Sequence, residues 1–150
     1  MQKIVFVCLG NICRSPTAEA VVATKARARA QAILVDSAGT GDWHVGEPPY
    51  GPMQAAAARR GYDLSTLRAR QVCAGDFEAF DVIVVMDEAN QRDVEALRPK
   101  GNTTPVRLMM SYAPDIGVTA VPDPYYTRNF DEALDLIEAA AEGLLAVLDP

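Results

Sequence analysis

A cysteine and an arginine with five residues between them, Cys8 and Arg14, bracket the run Leu9-Gly10-Asn11-Ile12-Cys13, and Ser15-Pro16 follows at once. Successive backbone N–H groups in a tight turn of this kind point inward as an anion-binding nest, and a helix starting beyond it adds its positive end. The Arg14 guanidinium can grip two oxygens of a phosphoryl group side by side, which a lysine cannot do. In that positive field the Cys8 thiol should lose its proton well below the ~8.5 of a free cysteine and serve as a nucleophile. Ser15 can donate a hydrogen bond to it. Gly10 permits the tight conformation, and Asn11 is a residue type that tolerates left-handed backbone geometry. Leu9, Gly10, Asn11, Ile12, Cys13 and Ser15 are therefore the expected oxyanion-binding residues around Cys8 and Arg14. No Gly-Lys-Ser/Thr closes the loop, which disfavours a nucleoside triphosphatase.

Attack of a thiolate on phosphorus needs a proton donor for the departing oxygen. The single histidine, His44, lies far along the chain beside Trp43, so a carboxylic acid is the better candidate. Asp123 stands between Pro122 and Pro124, whose rings restrict the backbone and hold an acid in place. It could protonate the leaving group and then activate water; an Asp in that setting is otherwise an ordinary turn residue. Tyr125 and Tyr126 follow directly, and with Trp43 they could wall a cleft and stack on an aryl ring, which makes phosphotyrosine the natural substrate.

The spacing of Cys8 and Arg14 alone would favour a blander account, a buried small side chain at a strand end and a surface charge. The elements around them decide otherwise. Residues 3–7 form a short continuous apolar run, as expected of a strand buried on both faces. Ser15 reads as a helix N-cap with Pro16 at the first helical position, and the alanine-rich stretch 17–30 as the helix itself. A second apolar run at 33–35, ended by Asp36-Ser37-Ala38-Gly39, completes a strand, helix, strand unit. Residues 39–52, rich in glycine and proline, read as a surface loop with Trp43 near its tip. A helix over 53–60 closed by Gly61, a strand over 81–86, a helix over 88–97 that stops before Pro99, and a shorter strand over 106–109 follow. From Phe130 onward the apolar positions keep helical spacing, with Asn129 and Glu132 placed as a capping box. The pattern predicts one α/β domain over 1–150: three layers, α/β/α, with a four-stranded parallel sheet of the flavodoxin-like kind. Ligands of such sheets sit beyond the carboxyl ends of the strands, where Cys8 falls.

A chain of 150 residues with 49% hydrophobic content can fill one core and is short for two ordinary domains. The net charge of −6 disfavours nucleic acid and anionic membrane as partners, though not a small anion in a locally positive pocket. The three cysteines, Cys8, Cys13 and Cys73, are an odd set without secretory context, so a reducing compartment, the cytoplasm, is expected. With one histidine and no Cys-x-x-Cys, a structural zinc site is not expected.

These segments resemble the low-molecular-weight protein tyrosine phosphatases over nearly the whole chain. The resemblance rests on Val7-Cys8-Leu9-Gly10-Asn11-Ile12-Cys13-Arg14-Ser15-Pro16, joined in order by Asp36-Ser37-Ala38-Gly39-Thr40, Trp43-His44-Val45-Gly46, Ala69-Arg70-Gln71, Met86-Asp87 and Asp123-Pro124-Tyr125-Tyr126. It implies Cys8 as nucleophile, Arg14 as phosphate clamp, Asp123 as general acid and base, and Ser15 as the hydroxyl supporting the thiolate. Asn11 would shape the loop, and Trp43, Tyr125 and Tyr126 would border the cleft. The implied partner is a phosphotyrosine-containing protein, in bacteria often a tyrosine kinase, and no metal or organic cofactor is implied. One departure stands out: many members carry a histidine two residues before Ala-Arg-Gln, behind the phosphate loop, where this chain has Leu67. The loop should then be held by Asn11 and Ser15 with other partners. Cys13 suggests a reversible Cys8–Cys13 disulfide that shields the nucleophile from deeper oxidation. The rival readings are a thiol-linked arsenate reductase, disfavoured because Cys73 stands alone downstream, and a non-catalytic phosphate-binding module, disfavoured because nucleophile and acid are both present.

Overall fold

Ile4, Val5, Phe6 and Val7 are fully buried because the first strand has neighbours on both sides in the sheet. The computed structural model describes residues 1–148. In chain order the elements are β1 (Gln2–Cys8), α1 (Arg14–Ala28), β2 (Ile33–Gly39), α2 (Gly51–Ala58), α3 (Asp76–Ala79), β3 (Val82–Val85), α4 (Glu88–Glu95), β4 (Val106–Leu108), α5 (Pro124–Thr127) and α6 (Phe130–Leu148). Two short 3-10 turns, Met109–Tyr112 and Pro114–Ile116, lie between β4 and α5. The sheet has four strands in the order β2-β1-β3-β4, all parallel, as expected of the flavodoxin-like arrangement.

Because side chains alternate across a strand, β1 serves two cores. Ile4, Phe6 and Cys8 face α1, α2 and α6, where Val21, Val22, Met53, Leu134, Ile137 and Leu144 complete the larger cluster. Val5 and Val7 face the other layer with Val72, Phe77, Ile83, Val85 and Val94. Each fully buried branched or aromatic side chain is worth about 1.5–3 kcal/mol, so the central strand is fixed tightly and the loop leaving it starts from a rigid point. β2 lies to one side of β1 and β3 to the other. The chain therefore reverses direction across the sheet at β1, and the segment after Cys8 opens at that switch point.

Several local expectations are corrected. The first helix begins at Arg14, with Cys13 rather than Ser15 at the N-cap and no side-chain capping bond. Ser15 is fully buried inside the first turn, its hydroxyl turned toward Cys8 instead of capping the helix. The second strand does not stop at Asp36: it pairs with β1 residue by residue out to Cys8 with Gly39, and Gly39 also bridges to Gln71. Gly51 and Pro52, expected in the loop, form the first turn of α2. At α6, Asn129 accepts from the Glu132 N–H at 3.0 Å, while the Asn129 N–H is taken by the Thr127 hydroxyl at 3.1 Å in place of the Glu132 side chain. Only half of the capping box forms.

Candidate active site

The loop from Cys8 to Arg14 ties three of its carbonyls to flanking segments and turns the Asn11 N–H toward Cys8. The carbonyls of Cys8, Leu9 and Ile12 accept from the N–H groups of Thr40, Gly41 and Tyr50 at 2.9, 2.9 and 2.8 Å. Asn11 has φ 57°, the left-handed conformation its residue type tolerates, and this inverts the loop so that its own N–H points at Cys8 Sγ, 3.3 Å away. Gly39 permits the close approach of the neighbouring strand, since a Cβ there would lie 2.7 Å from the Leu9 carbonyl oxygen and 3.0 Å from the Asn11 nitrogen.

Behind the loop a chain of hydrogen bonds runs from the Cys8 sulfur to Glu19 on α1. Ser15 Oγ is 3.0 Å from Cys8 Sγ and 3.2 Å from the Ala38 carbonyl, so its single proton serves one or the other. Asn11 Nδ2 donates to Ser15 Oγ at 2.7 Å and to Ser37 Oγ at 3.0 Å, and Asn11 Oδ1 accepts from the Arg70 N–H at 3.0 Å. Ser37 in turn donates to the Glu19 carboxylate at 2.7 Å. These are the other partners expected where Leu67 replaces a histidine; Leu67 itself packs against the core. Every donor and acceptor of the Asn11 side chain is engaged except the second lone pair of Oδ1, so the loop is set before any ligand arrives.

Burial pushes the Glu19 carboxyl above its ordinary value of 4.5, Asp36 adds to this, and the Ser37 hydroxyl and Arg70 oppose it. A carboxyl with a raised folded-state pKa supports the fold fully below its ordinary value, and that support is lost as pH rises through the folded value. Glu19→Gln keeps an acceptor for Ser37 and cannot ionise. Its melting temperature should therefore rise relative to the native chain's as pH climbs above the ordinary carboxyl value of 4.5. Thermal melts at a series of pH values check this, and parallel curves would show that Glu19 does not titrate with folding.

Arg14 is 2% exposed. Burial works against its charge, yet Cys8, Asp87 and Asp123 together hold the guanidinium more firmly protonated than usual. One terminal nitrogen donates to Asp87 at 2.7 Å and to the Val121 carbonyl at 3.0 Å; the other is 3.5 Å from Asp123 Oδ2. Nε is buried and has no hydrogen-bond partner among the described residues. A buried orphan donor is costly, and a phosphoryl oxygen is an acceptor of the right chemistry to satisfy it. Asp123 is also the N-cap of α5, accepting the Tyr125 N–H at 3.1 Å, which fixes the carboxylate at the cleft edge.

A cleft of about 250 Å³ opens above the sulfur. Its floor is Cys8, Leu9, Gly10, Ile12 and Cys13; one wall is Trp43 and His44, the other Asp123, Tyr125 and Tyr126. All three expected aromatic residues reach the cleft, and Trp43 and Tyr126 remain 67% and 70% exposed at its rim. The Cys13 thiol is pushed up to about 12 by burial and by the neighbouring Cys8, so it stays protonated beside Cys8.

Two residues at the site escaped the sequence reading. Asp87 orients Arg14 while its other oxygen caps α4 through the Asn90 N–H at 2.8 Å. An acid directly after the buried run 82–86 and before a helix was the available signal. His44, set aside as remote, lies on the cleft wall with Nδ1 3.0 Å from Glu47. Nothing in the local sequence indicates that its loop folds over the phosphate loop.

Comparison with known proteins agrees with this geometry along the whole length. Residues 3–150 match the family model described as low molecular weight phosphotyrosine protein phosphatase. The low molecular weight protein-tyrosine-phosphatase YfkJ of Bacillus subtilis is 41% identical over 148 residues, covering 97% of this chain and 95% of that protein. A low molecular weight protein-tyrosine-phosphatase of Streptomyces coelicolor is 42% identical over 153 residues, covering 97% and 93%. The crystal structure of YfkJ superposes with a TM-score of 0.94 over 99% of this chain and 94% of that one. With a thiol on the cleft floor, an acid on its wall and a buried arginine bonded beside that acid, on a fold shared from end to end with the YfkJ structure, the chain belongs to the low molecular weight phosphotyrosine protein phosphatase family.

Proposed function

We propose that this chain hydrolyses phosphotyrosine in proteins, and small aryl phosphates, through a phosphocysteine formed on Cys8. The Cys8 thiolate attacks phosphorus, the phosphorus–oxygen bond to the aryl group breaks, and Asp123 gives its proton to the departing phenolate oxygen. Asp123, now a carboxylate, takes a proton from water as that water attacks phosphorus; the phosphorus–sulfur bond breaks and inorganic phosphate leaves. Arg14 and the loop N–H groups hold the equatorial oxygens through both steps, where charge develops. Ser15 supports the sulfur each time it is negative.

The observation that carries this reading is that Cys8 and Asp123 line one cleft, while the buried Arg14 guanidinium reaches to 3.5 Å from the Asp123 carboxylate and keeps an unpartnered Nε. The cleft walls are aromatic, which suits an aryl ring. Arsenate reduction gains no support, since Cys73, the one remaining thiol, is exposed and lies outside the cleft lining. Three free cysteines suit a reducing compartment, and the cytoplasm remains the proposed location. No helix among the described residues is long and apolar enough to cross a membrane.

Peptides carrying phosphotyrosine or phosphoserine in the same sequence, assayed with a chelator and a reducing agent, test the substrate class. Phosphotyrosine should be hydrolysed at least about a hundredfold faster, because a short seryl phosphate cannot reach the sulfur past the aromatic walls. Equal rates, or no turnover of either, would sink the proposal.

A further inference from the structure

Arg128 ends α5 with φ 63°, a left-handed conformation that glycine adopts freely and an arginine adopts only at a cost. Its side chain is nevertheless tightly held. Nη1 donates to the Tyr50 hydroxyl at 2.9 Å and to the Tyr125 carbonyl at 3.4 Å, and the guanidinium lies 5.2 Å from the Tyr50 ring centre and 5.3 Å from that of Phe130. Tyr50 is bonded through its N–H to the Ile12 carbonyl in the phosphate loop, and its ring stands 5.2 Å from the ring of Tyr125, which walls the cleft. Arg128 is thus a cation fastened behind one wall of the site. Its charge is felt as far in as Cys13.

Among the described residues Arg128 has no carboxylate within 4.0 Å, as is also true of Arg27, Arg59, Arg68, Arg92 and Arg107, whereas Arg14, Arg29, Arg60, Arg70 and Arg98 each have at least one. The opposite rim carries no arginine or lysine among the described residues, and Asp42 and Glu47 are exposed there beside Trp43 and His44; on the Arg128 side the carboxylate is Asp123, within the cleft wall. A peptide whose phosphotyrosine fills the cleft must leave it past one rim or the other. Residues on the flank that leaves past Tyr125 cross the wall to which Arg128 is fastened, where its charge is little screened at low salt.

We propose that Arg128 is a specificity residue, selecting substrates with a carboxylate side chain, Asp or Glu, immediately beside the phosphotyrosine on the flank that crosses Tyr125. This rests on the phosphotyrosine reading above. The guanidinium is already oriented by two rings and two hydrogen bonds, so pairing costs it little further ordering. It is exposed, so the preference is modest, about three- to fivefold in kcat/KM, and it fades with salt.

The test uses phosphotyrosyl peptides that differ only in the residue directly before or directly after the phosphotyrosine, which is Glu, Gln or Lys. The native chain is compared with Arg128→Gln and Arg128→Gly at low ionic strength. The glycine variant takes up the backbone conformation without strain, so loss of the fold does not confound the result. The native chain should favour Glu over Gln about three- to fivefold on one flank, and the ratio should fall to about one in both variants and in high salt. Equal rates for the native chain on Glu and Gln peptides, or a ratio that survives in either variant, would overturn the assignment. If the native chain hydrolyses none of these peptides, the phosphotyrosine reading fails and this one with it.

Discussion

Replacing Cys8 by serine will lower the hydrolysis of aryl phosphates by about four orders of magnitude or more, while phosphate still binds to the loop. Of the two thiols at the cleft floor Cys13 is held protonated by burial, and it is Cys8 Sγ that has the Asn11 N–H at 3.3 Å and Ser15 Oγ at 3.0 Å. A serine oxygen at the same position is a far weaker nucleophile at neutral pH, and no base lies against it to take its proton. The anion-binding parts are untouched: Arg14 remains held by Asp87 and Val121, and Asn11 remains tied to Ser15, Ser37 and the Arg70 N–H. Steady-state rates together with calorimetric titration of phosphate separate the two effects. Residual turnover within about a hundredfold of the native rate would mean that the phosphoryl group is transferred directly to water. Loss of phosphate binding along with turnover would mean that the sulfur is needed to shape the loop.

The parts of the site that were legible in the sequence are those in which one local run fixes both position and chemistry. Residues 3–7 read as a strand because four consecutive apolar side chains suit a position with neighbours on all sides, and the run ends at Cys8. A glycine, an Asn able to take positive φ and a Ser-Pro pair then read as a turn entering a helix, and that is what forms. The same pair misled at finer scale: Ser15 has the composition of an N-cap, but its hydroxyl gains more as a buried link between Asn11 and Cys8 than at a helix end already facing an anion site.

What could not be read is what distant segments bring to one place. Glu19, Ser37 and Arg70 lie on a helix, a strand end and a loop, and only the parallel pairing of β1 with β2 sets them around Asn11. Asp87 was visible as an acid after a strand, yet its partner Arg14 is 73 residues away. Arg128 carried no signal at all, because a left-handed residue at the end of a four-residue helix has no sequence marker when it is not glycine.

Asp123→Asn should lower turnover by about 10²- to 10⁴-fold, and more for phenyl phosphate than for p-nitrophenyl phosphate. A phenolate, with a conjugate-acid pKa of ~10, leaves poorly unless it is protonated as the bond breaks, whereas the more acidic nitrophenol needs less help. The substitution is mild in structure. An Asn side-chain oxygen can still accept the Tyr125 N–H and cap α5, and Arg14 keeps its closer contacts with Asp87 and Val121 when the 3.5 Å one is weakened. Because the same carboxylate should also take the proton from the attacking water, the second step slows as well. With p-nitrophenyl phosphate the phosphocysteine then accumulates, and rapid mixing should show a burst of nitrophenol approaching one equivalent of enzyme before a slow steady rate. A variant within about threefold of the native rate on both substrates, with no burst, would assign proton transfer to another group. His44, held by Glu47 on the opposite wall of the cleft, would be the next residue to replace.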